Sequence, residues 1–394
     1  MQANKALALA AAALIAAGAY YVTREKAPST EVENALLYPG LLDRLNDSRS
    51  IEIRSADDAF TLKRDAGQWT MVERDDYPVR GEMAKAALVQ LADLRIRERK
   101  TSKPENYAEL GVTDEAAAGS ETRRVIVRAE GDGVLADLIV GKARQAKGLE
   151  SPGHYVRKAG EPTAWLVEGE LTLAVKRNDW MDTQVLDLPV ERVRRVTITH
   201  PEKRPVVVTK ADPKQQLFTL NDAPDGYEAR SSAVISSIGG LLLDVHFDDV
   251  AAASRIDGLV PRTIVEVQTF DGLVATLEQY DVKEKNFVKF DFAFNPDLVY
   301  AAPEAPAAAT PAAPAAKPAA PAAQPEAAPT LTVKPASEVR AEIETLKKKT
   351  APWVYALADY KVRIIDKKME DLIKTKAPPL PTPEPIERMG KEAP

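Results

Sequence analysis

Apolar and polar residues alternate in short bursts along this chain, and the bursts recur in the same order. From Ile51 the chain reads IEIRSADDAFTLKRDAGQWTMVERDDYPVRGEMAKAALVQLADLRIRER, and from Val196 it reads VTITHPEKRPVVVTKADPKQQLFTLNDAPDGYEARSSAVISSIGGLLLDVHFDD. Each passage opens with an alternating strand (Ile51, Ile53; Val196, Ile198) and turns into a second (Phe60, Leu62; Val206, Val208). A third strand follows, carrying Trp69 and Met71 in one passage and Phe218 and Leu220 in the other. The period of two places these side chains on one face of a sheet. After Tyr77 and Tyr227 the spacing changes to that of a helix, with Ala84, Ala87, Leu88, Leu91 and Leu94 in the first passage and Val234, Ile238, Leu241 and Leu242 in the second.

The parallel continues through Leu110-Gly111-Val112 and Asp257-Gly258-Leu259 into two hairpins, whose turns are predicted at Asp132-Gly133 and Asp271-Gly272. The offset between the passages stays nearly constant: 145 from Ile51 to Val196, 150 from Tyr77 to Tyr227 and 147 from Gly111 to Gly258. A duplicated unit is therefore expected. The first copy closes with strands at Tyr155 and at Trp165 to Val167, a helix over Glu168 to Val175, and Asp179-Trp180-Met181. The second has a strand from Phe287 to Phe294 and is then interrupted by an Ala/Pro-rich run. Such a run is too poor in apolar bulk to fold and favours polyproline II. A helix from Ser337 to about Lys349 resumes the unit, Trp353 echoes Trp180, and one amphipathic helix carries Val362, Ile365, Met369 and Leu372.

These readings give an α+β chain: an N-terminal transmembrane helix, then two tandem related units, each a mainly antiparallel sheet with packed helices. The expected segments are a signal anchor at 1–28, the first unit at 29–190 and the first part of the second at 191–300. A disordered Ala/Pro insertion follows at 301–330, a helical completion at 331–376 and a disordered tail at 377–394. Residues 6–22 (ALALAAAALIAAGAYYV) are uncharged and follow Lys5. At about 1.5 Å per residue they span somewhat less than the hydrocarbon core of about 30 Å. Tyr20 and Tyr21 suit the headgroup level and favour an uncleaved anchor; Ala17-Gly18-Ala19 fits the alternative of a cleaved signal peptide. The expected location is the bacterial inner membrane, crossed once, with the body in the periplasm.

Composition narrows the chemistry. The 394 residues contain no cysteine and three histidines, with a formal charge of -6. Disulfides, thiolate metal sites and cysteine nucleophiles are thereby excluded. The acidic balance argues against nucleic acid as a partner. Gly141-Lys142 lacks the glycine spacing and following Ser or Thr of a phosphate loop. Asp75-Asp76 and Asp248-Asp249 could serve glycosidase chemistry only across a cleft and are read as solvated. His154, His200 and His246 have no clustered partners and are read as structural. Trp69, Trp165, Trp180 and Trp353 are read as core packing rather than a sugar-stacking surface. Lys347-Lys348-Lys349 suits the negative end of a helix. No catalytic, cofactor-binding or metal-binding residue is assigned.

Several of these features resemble one bacterial family: the Trp69 strand, Tyr77-Pro78 before the helix, Leu110-Gly111, Val140-Gly141, Gly153-His154-Tyr155-Val156, Trp353-Val354-Tyr355 and Met369-Glu370-Asp371-Leu372. It is the domain-of-unknown-function family often encoded beside gliding-motility-type ABC transporter permeases and their auxiliary membrane subunits. The resemblance covers most of residues 30–376 apart from the insertion. It implies a membrane-anchored protein with its body outside the cytoplasm and supplies no catalytic residues. The expected function is that of a non-catalytic accessory or scaffold of an ABC-type transport complex, contacting the permease and auxiliary subunits and held to the membrane by residues 6–22. The alternative is a periplasmic envelope-glycan binding module or hydrolase with a site between the repeats.

Overall fold

The computed structural model describes residues 34–116, 118–144, 152–300 and 333–376. The expected anchor at 6–22, the insertion at 301–330 and the tail at 377–394 lie outside the described residues. The chain divides into two compact units between Asp182 and Thr183. The architecture is mixed α+β, dominated by large antiparallel sheets with few helices.

The first unit contains β1 (Ser48–Arg54), β2 (Ala59–Asp65), β3 (Gln68–Met71), β4 (Tyr77–Pro78), α1 (Gly81–Ala92) and β5 (Arg95–Thr101). It continues with a single turn α2 (Tyr107–Leu110), β6 (Arg123–Ala129), β7 (Val134–Arg144), β8 (Gly153–Lys158) and β9 (Ala164–Glu168). Its sheet runs β4-β3-β2-β1-β6-β7-β8-β9-β5. The alternation seen in the sequence sets the register. Ile51 faces Leu62 on one side and Val127 on the other, and Ile53 faces Phe60 and Val125. All six are buried; burial of one such side chain contributes roughly 1.5–3 kcal/mol. Helix α1, rich in strong helix formers, lays Ala84, Ala87, Leu88 and Leu91 into the core.

The second unit contains β10 (Gln184–Leu186), β11 (Val193–Thr199), β12 (Val206–Thr209), β13 (Thr219–Asn221), β14 (Tyr227–Ala229) and α3 (Ser232–Gly239). Next come β15 (Val245–Ala252), β16 (Thr263–Thr269), β17 (Leu273–Val282) and β18 (Lys285–Phe294). After the insertion follow α4 (Ala336–Thr350), β19 (Trp353–Leu357), α5 (Asp359–Ile365), α6 (Met369–Leu372) and β20 (Ile373–Thr375). The main sheet runs β10-β15-β19-β18-β17-β16-β11-β12-β13, and β14 pairs with β20. Read from β15 to β13, this is the order β5-β9-β8-β7-β6-β1-β2-β3 of the first sheet. Core pairs repeat as well: Val196 faces Val208 and Val267, and Ile198 faces Val206 and Val265.

The structure corrects several details. No helix forms over Glu168 to Val175. Gly169 sits at φ 134, and the chain beyond it forms no regular element, burying Leu171 and Leu173 alternately. Helix α3 ends at Gly239, so Leu241 and Leu242 are buried beyond it and Ile235 joins Ile238 on its inner face. Gly239 is needed there because a Cβ would overlap the Phe218 ring. The stripe from Val362 to Leu372 is broken into α5 and α6, with Asp371 accepting from the Lys368 main chain to start the second helix. Trp353 echoes Trp165 rather than Trp180, because β19 takes the place of β9. In the hairpins, Gly272 has the expected positive φ of 89, whereas in the first unit that role falls to Gly131 at φ 71. Among the described residues, no helix is long and apolar enough to cross a membrane.

Candidate functional site

The polar groups weighed in the sequence are dispersed. Asp75 and Asp76 follow β3 in left-handed conformations, and Thr70 donates to Asp76 at 3.3 Å. Asp248 and Asp249 lie on β15 in the other unit, where Asp249 pairs with Lys285 at 2.6 Å. Gly141 belongs to β7, where the main chain of Leu110 and Gly111 crosses so closely that a Cβ would overlap the Leu110 carbonyl oxygen. Its glycine serves that crossing. Lys349 donates to the Gln184 carbonyl at 2.6 Å, and Lys347 lies 4.0 Å from Asp291. Trp69 and Trp180 are fully buried, with Trp180 donating to the Ala174 carbonyl at 3.0 Å; Trp165 and Trp353 are half-buried.

The histidines occupy three different settings. His154 on β8 is half-buried, and its Nδ1 has no hydrogen-bond partner. Burial, reinforced by the Arg123 guanidinium, holds its pKa below the ordinary histidine value. His200 is buried between Thr263 on β16 (3.1 Å) and the Lys367 carbonyl (3.0 Å). A carbonyl only accepts, so Nε2 carries the proton and Nδ1 receives the Thr263 hydroxyl. His200 thereby ties the α5–α6 corner to the sheet.

His246 belongs to a cluster that the sequence did not reveal. Its Nε2 lies 2.9 Å from Asp244 Oδ1 and its Nδ1 lies 3.0 Å from the Thr183 hydroxyl. The carboxylate fixes the proton on Nε2, leaving Nδ1 to accept from Thr183. Gln184 donates to the same Asp244 oxygen at 2.9 Å. The hydrogen bonds from Gln184 and His246 hold the Asp244 carboxyl below the usual carboxylate range. The order hydroxyl, imidazole, carboxylate is that of a nucleophilic triad. Yet the side chains of His246 and Asp244 are 45% and 65% exposed, and triad chemistry draws its strength from preorganised donors in a water-excluded site. A separation of 63 residues between Thr183 and His246 left no local motif to find.

The buried cations hold the fold. Arg157 donates to the Val112 carbonyl (2.9 Å), the Glu161 carbonyl (3.1 Å) and Asp114 (2.7 Å), with its guanidinium 4.5 Å from the Tyr107 ring centroid. Arg192, immediately before β11, bonds Asp271 at 2.8 Å and grips Glu342 of α4 through two bonds of 2.8 and 3.0 Å. Lys334 adds a contact to Glu342 at 2.9 Å. Lys361 reaches the carbonyls of Leu241 (2.7 Å) and Leu243 (2.6 Å), capping the chain that leaves α3. Lys210 donates to the Val190 carbonyl at 2.8 Å beside the Phe218 ring. Burial lowers the pKa of both lysines.

Two surface depressions belong to the first unit. One of about 770 Å³ lies between the β2–β3 and β6–β7 turns and is lined by Arg49, Thr61, Lys63, Arg64 and Glu130. The other, of about 410 Å³, is floored by Tyr107, Asp114, Arg157 and Glu161, the groups already engaged by Arg157. Among the described residues, no group of three or more His, Asp or Glu side chains is placed to hold a metal ion. Residues 69–258 match the model of a domain of unknown function, DUF4340. That domain is therefore present from β3 of the first unit to Gly258 of the second. No curated protein matches the chain.

Proposed function

We propose that this chain is a non-catalytic accessory or scaffold protein of an ABC-type transport complex, anchored in the bacterial inner membrane with its body in the periplasm. The observation that carries the non-catalytic part is the use of the buried charged groups. Arg157, Arg192, Lys210 and Lys361 each join segments distant in sequence, so the reactive side chains serve as internal ties. Such ties brace each unit from within and leave its surface to partners. The membrane and transporter parts rest on the apolar run at 6–22 and on the family resemblance. In this reading ATP hydrolysis belongs to another subunit, and exposed sheet edges or helix faces meet the permease.

The Thr183–His246–Asp244 arrangement favours a second reading, hydrolysis of an envelope glycan or ester. The two readings separate in a strain lacking the protein, complemented with Thr183→Val or His246→Ala. The scaffold reading expects both variants to complement like the wild type, and expects the purified protein to leave peptidoglycan and chromogenic esters intact. Loss of complementation by both variants, with normal circular dichroism, favours the hydrolase.

A further inference from the structure

The described chain joins its first unit along the edge strand of the sheet. Asn34 N–H donates to the Ile96 carbonyl (2.7 Å), Ile96 N–H to Ala35 (2.8 Å) and Leu37 N–H to Leu94 (2.7 Å). Residues 34–37 thus run beside the start of β5, and the rest of β5 continues the edge beyond them. The stretch RIRERKTSK carries Arg95, Arg97, Arg99, Lys100 and Lys103 against Glu98 alone. Arg97 is half-buried and the other four cations are exposed. Local pairing accounts for part of this charge: Lys100 lies 2.6 Å from Glu98, and Arg97 lies 3.3 Å from Glu168. A net excess of positive charge remains.

Charge on an edge strand keeps it from pairing with another chain, but either sign does that. β15 takes the corresponding place in the second sheet but is not an edge there, because β10 pairs on its outer side; it carries Asp248 and Asp249 with no Lys or Arg. Protection of the β5 edge therefore accounts for charge there but not for its sign. The positive edge is the one beside which the chain arrives from the expected membrane segment. Residues 23–33 can span at most about 40 Å, whereas charges in physiological salt interact only within about 8 Å. The tether therefore allows this edge, through a short reach, to touch the membrane surface.

We propose that the β5 edge docks on anionic phospholipid headgroups, holding the first unit against the membrane. The inference rests on the anchor reading above. Guanidinium and ammonium groups donate to headgroup phosphates, and each cation near an anionic surface raises its occupancy about fivefold. The apolar segment supplies retention in the bilayer, and β5 supplies orientation.

The absence of cysteine in the chain allows a single dye to be placed. Full-length protein carrying Glu105→Cys, close to Lys103, or Val260→Cys in the second unit as a reference, is reconstituted in vesicles with a headgroup-bound quencher. The vesicles are phosphatidylcholine alone or phosphatidylcholine with phosphatidylglycerol. At position 105 quenching should be at least about threefold greater with the anionic lipid, given that fivefold weight per cation. The difference should vanish in about 0.5 M salt and in the triple variant Arg97→Gln, Arg99→Gln, Lys100→Gln. Glu98→Gln should enlarge it, which guards against misfolding of the triple variant, and position 260 should change less. Equal quenching in both lipids, with the protein floating on both vesicles, overturns headgroup docking while the anchor stands. Failure to float on either overturns the anchor reading and this inference with it. Loss of the lipid preference on adding inorganic phosphate at matched ionic strength would assign the edge to soluble phosphate instead, and overturn it also.

Discussion

The Arg230 main-chain N–H donates to the Leu372 carbonyl oxygen at 2.7 Å, closing the second unit after the Ala/Pro insertion. Arg80 makes the same bond to Trp180, also at 2.7 Å, in the first unit. In each case the residue just before a helix, α1 after Arg80 and α3 after Arg230, meets the end of its own unit. The insertion is thus contained within the second unit, and β19, α5 and α6 return to complete it.

Closure at Trp180 should be worth a large part of the first unit's stability. The side chain is fully buried, 6.4 Å from the Phe60 ring centroid. Trp180→Ala is expected to cost about 3–5 kcal/mol and Leu372→Ala about 2–5 kcal/mol. Urea unfolding followed by circular dichroism measures both; losses below about 1 kcal/mol would show that these ends are not closures.

At the Gly141 crossing a side chain has no room. Gly141→Ala should destabilise by several kcal/mol, because the obstacle is the Leu110 main chain rather than a flexible side chain. Exposed Lys142 tolerates replacement by Ala within about 0.5 kcal/mol. Differential scanning calorimetry of the pair distinguishes a packing glycine from a phosphate-loop glycine, for which the lysine would matter more to any phosphate-induced shift.

The attachment of α4 should respond to acid. Burial opposes ionisation of Glu342, but hydrogen bonds from Arg192 and Lys334 outweigh it and hold the carboxyl below its usual value. A carboxyl depressed in the folded state contributes stability above its unfolded pKa of about 4.3 and loses it as pH falls through the folded value. The wild type should therefore weaken from about pH 4 downward. Glu342→Gln should be less stable at pH 7, by about 1.5–3 kcal/mol for lost charge-assisted hydrogen bonds, since Arg192 keeps Asp271 at 2.8 Å, with a shallower decline in acid. A variant whose acid profile parallels the wild type would remove Glu342 from the account.

Gln279 is buried in β17, and neither its amide nitrogen nor its amide oxygen has a hydrogen-bond partner. An unsatisfied buried polar group costs about 1–3 kcal/mol. Gln279→Met keeps the volume and removes both groups, so its melting temperature should rise. A fall would mean that the amide is satisfied in solution.

Much of the fold was legible because the sheet core repeats a period of two. Ile51, Ile53, Phe60 and Leu62 announce their strands, and Val196 to Val208 announce them again. The helix over Glu168 to Val175 was a misreading: Leu171 and Leu173, two apart, share a face only in an extended chain, and Gly169 at φ 134 turns the backbone out of helical geometry before them. Trp353 was matched to Trp180 because tryptophan is conspicuous; only strand order shows that β19 stands for β9. The Thr183–His246–Asp244 cluster was invisible, since pairing of β10 with β15, not sequence proximity, assembles it. The same holds for Arg192 and Glu342, 150 residues apart.

The central claim, a membrane-anchored accessory of an ABC-type transport complex, is tested most directly by mild solubilisation of native membranes. Full-length protein captured through a C-terminal tag is analysed by mass spectrometry for its own N-terminus and for its companions. The account predicts an intact segment at residues 6–22 together with a permease and an ATPase subunit. Recovery as a cleaved, soluble protein without those partners would contradict it.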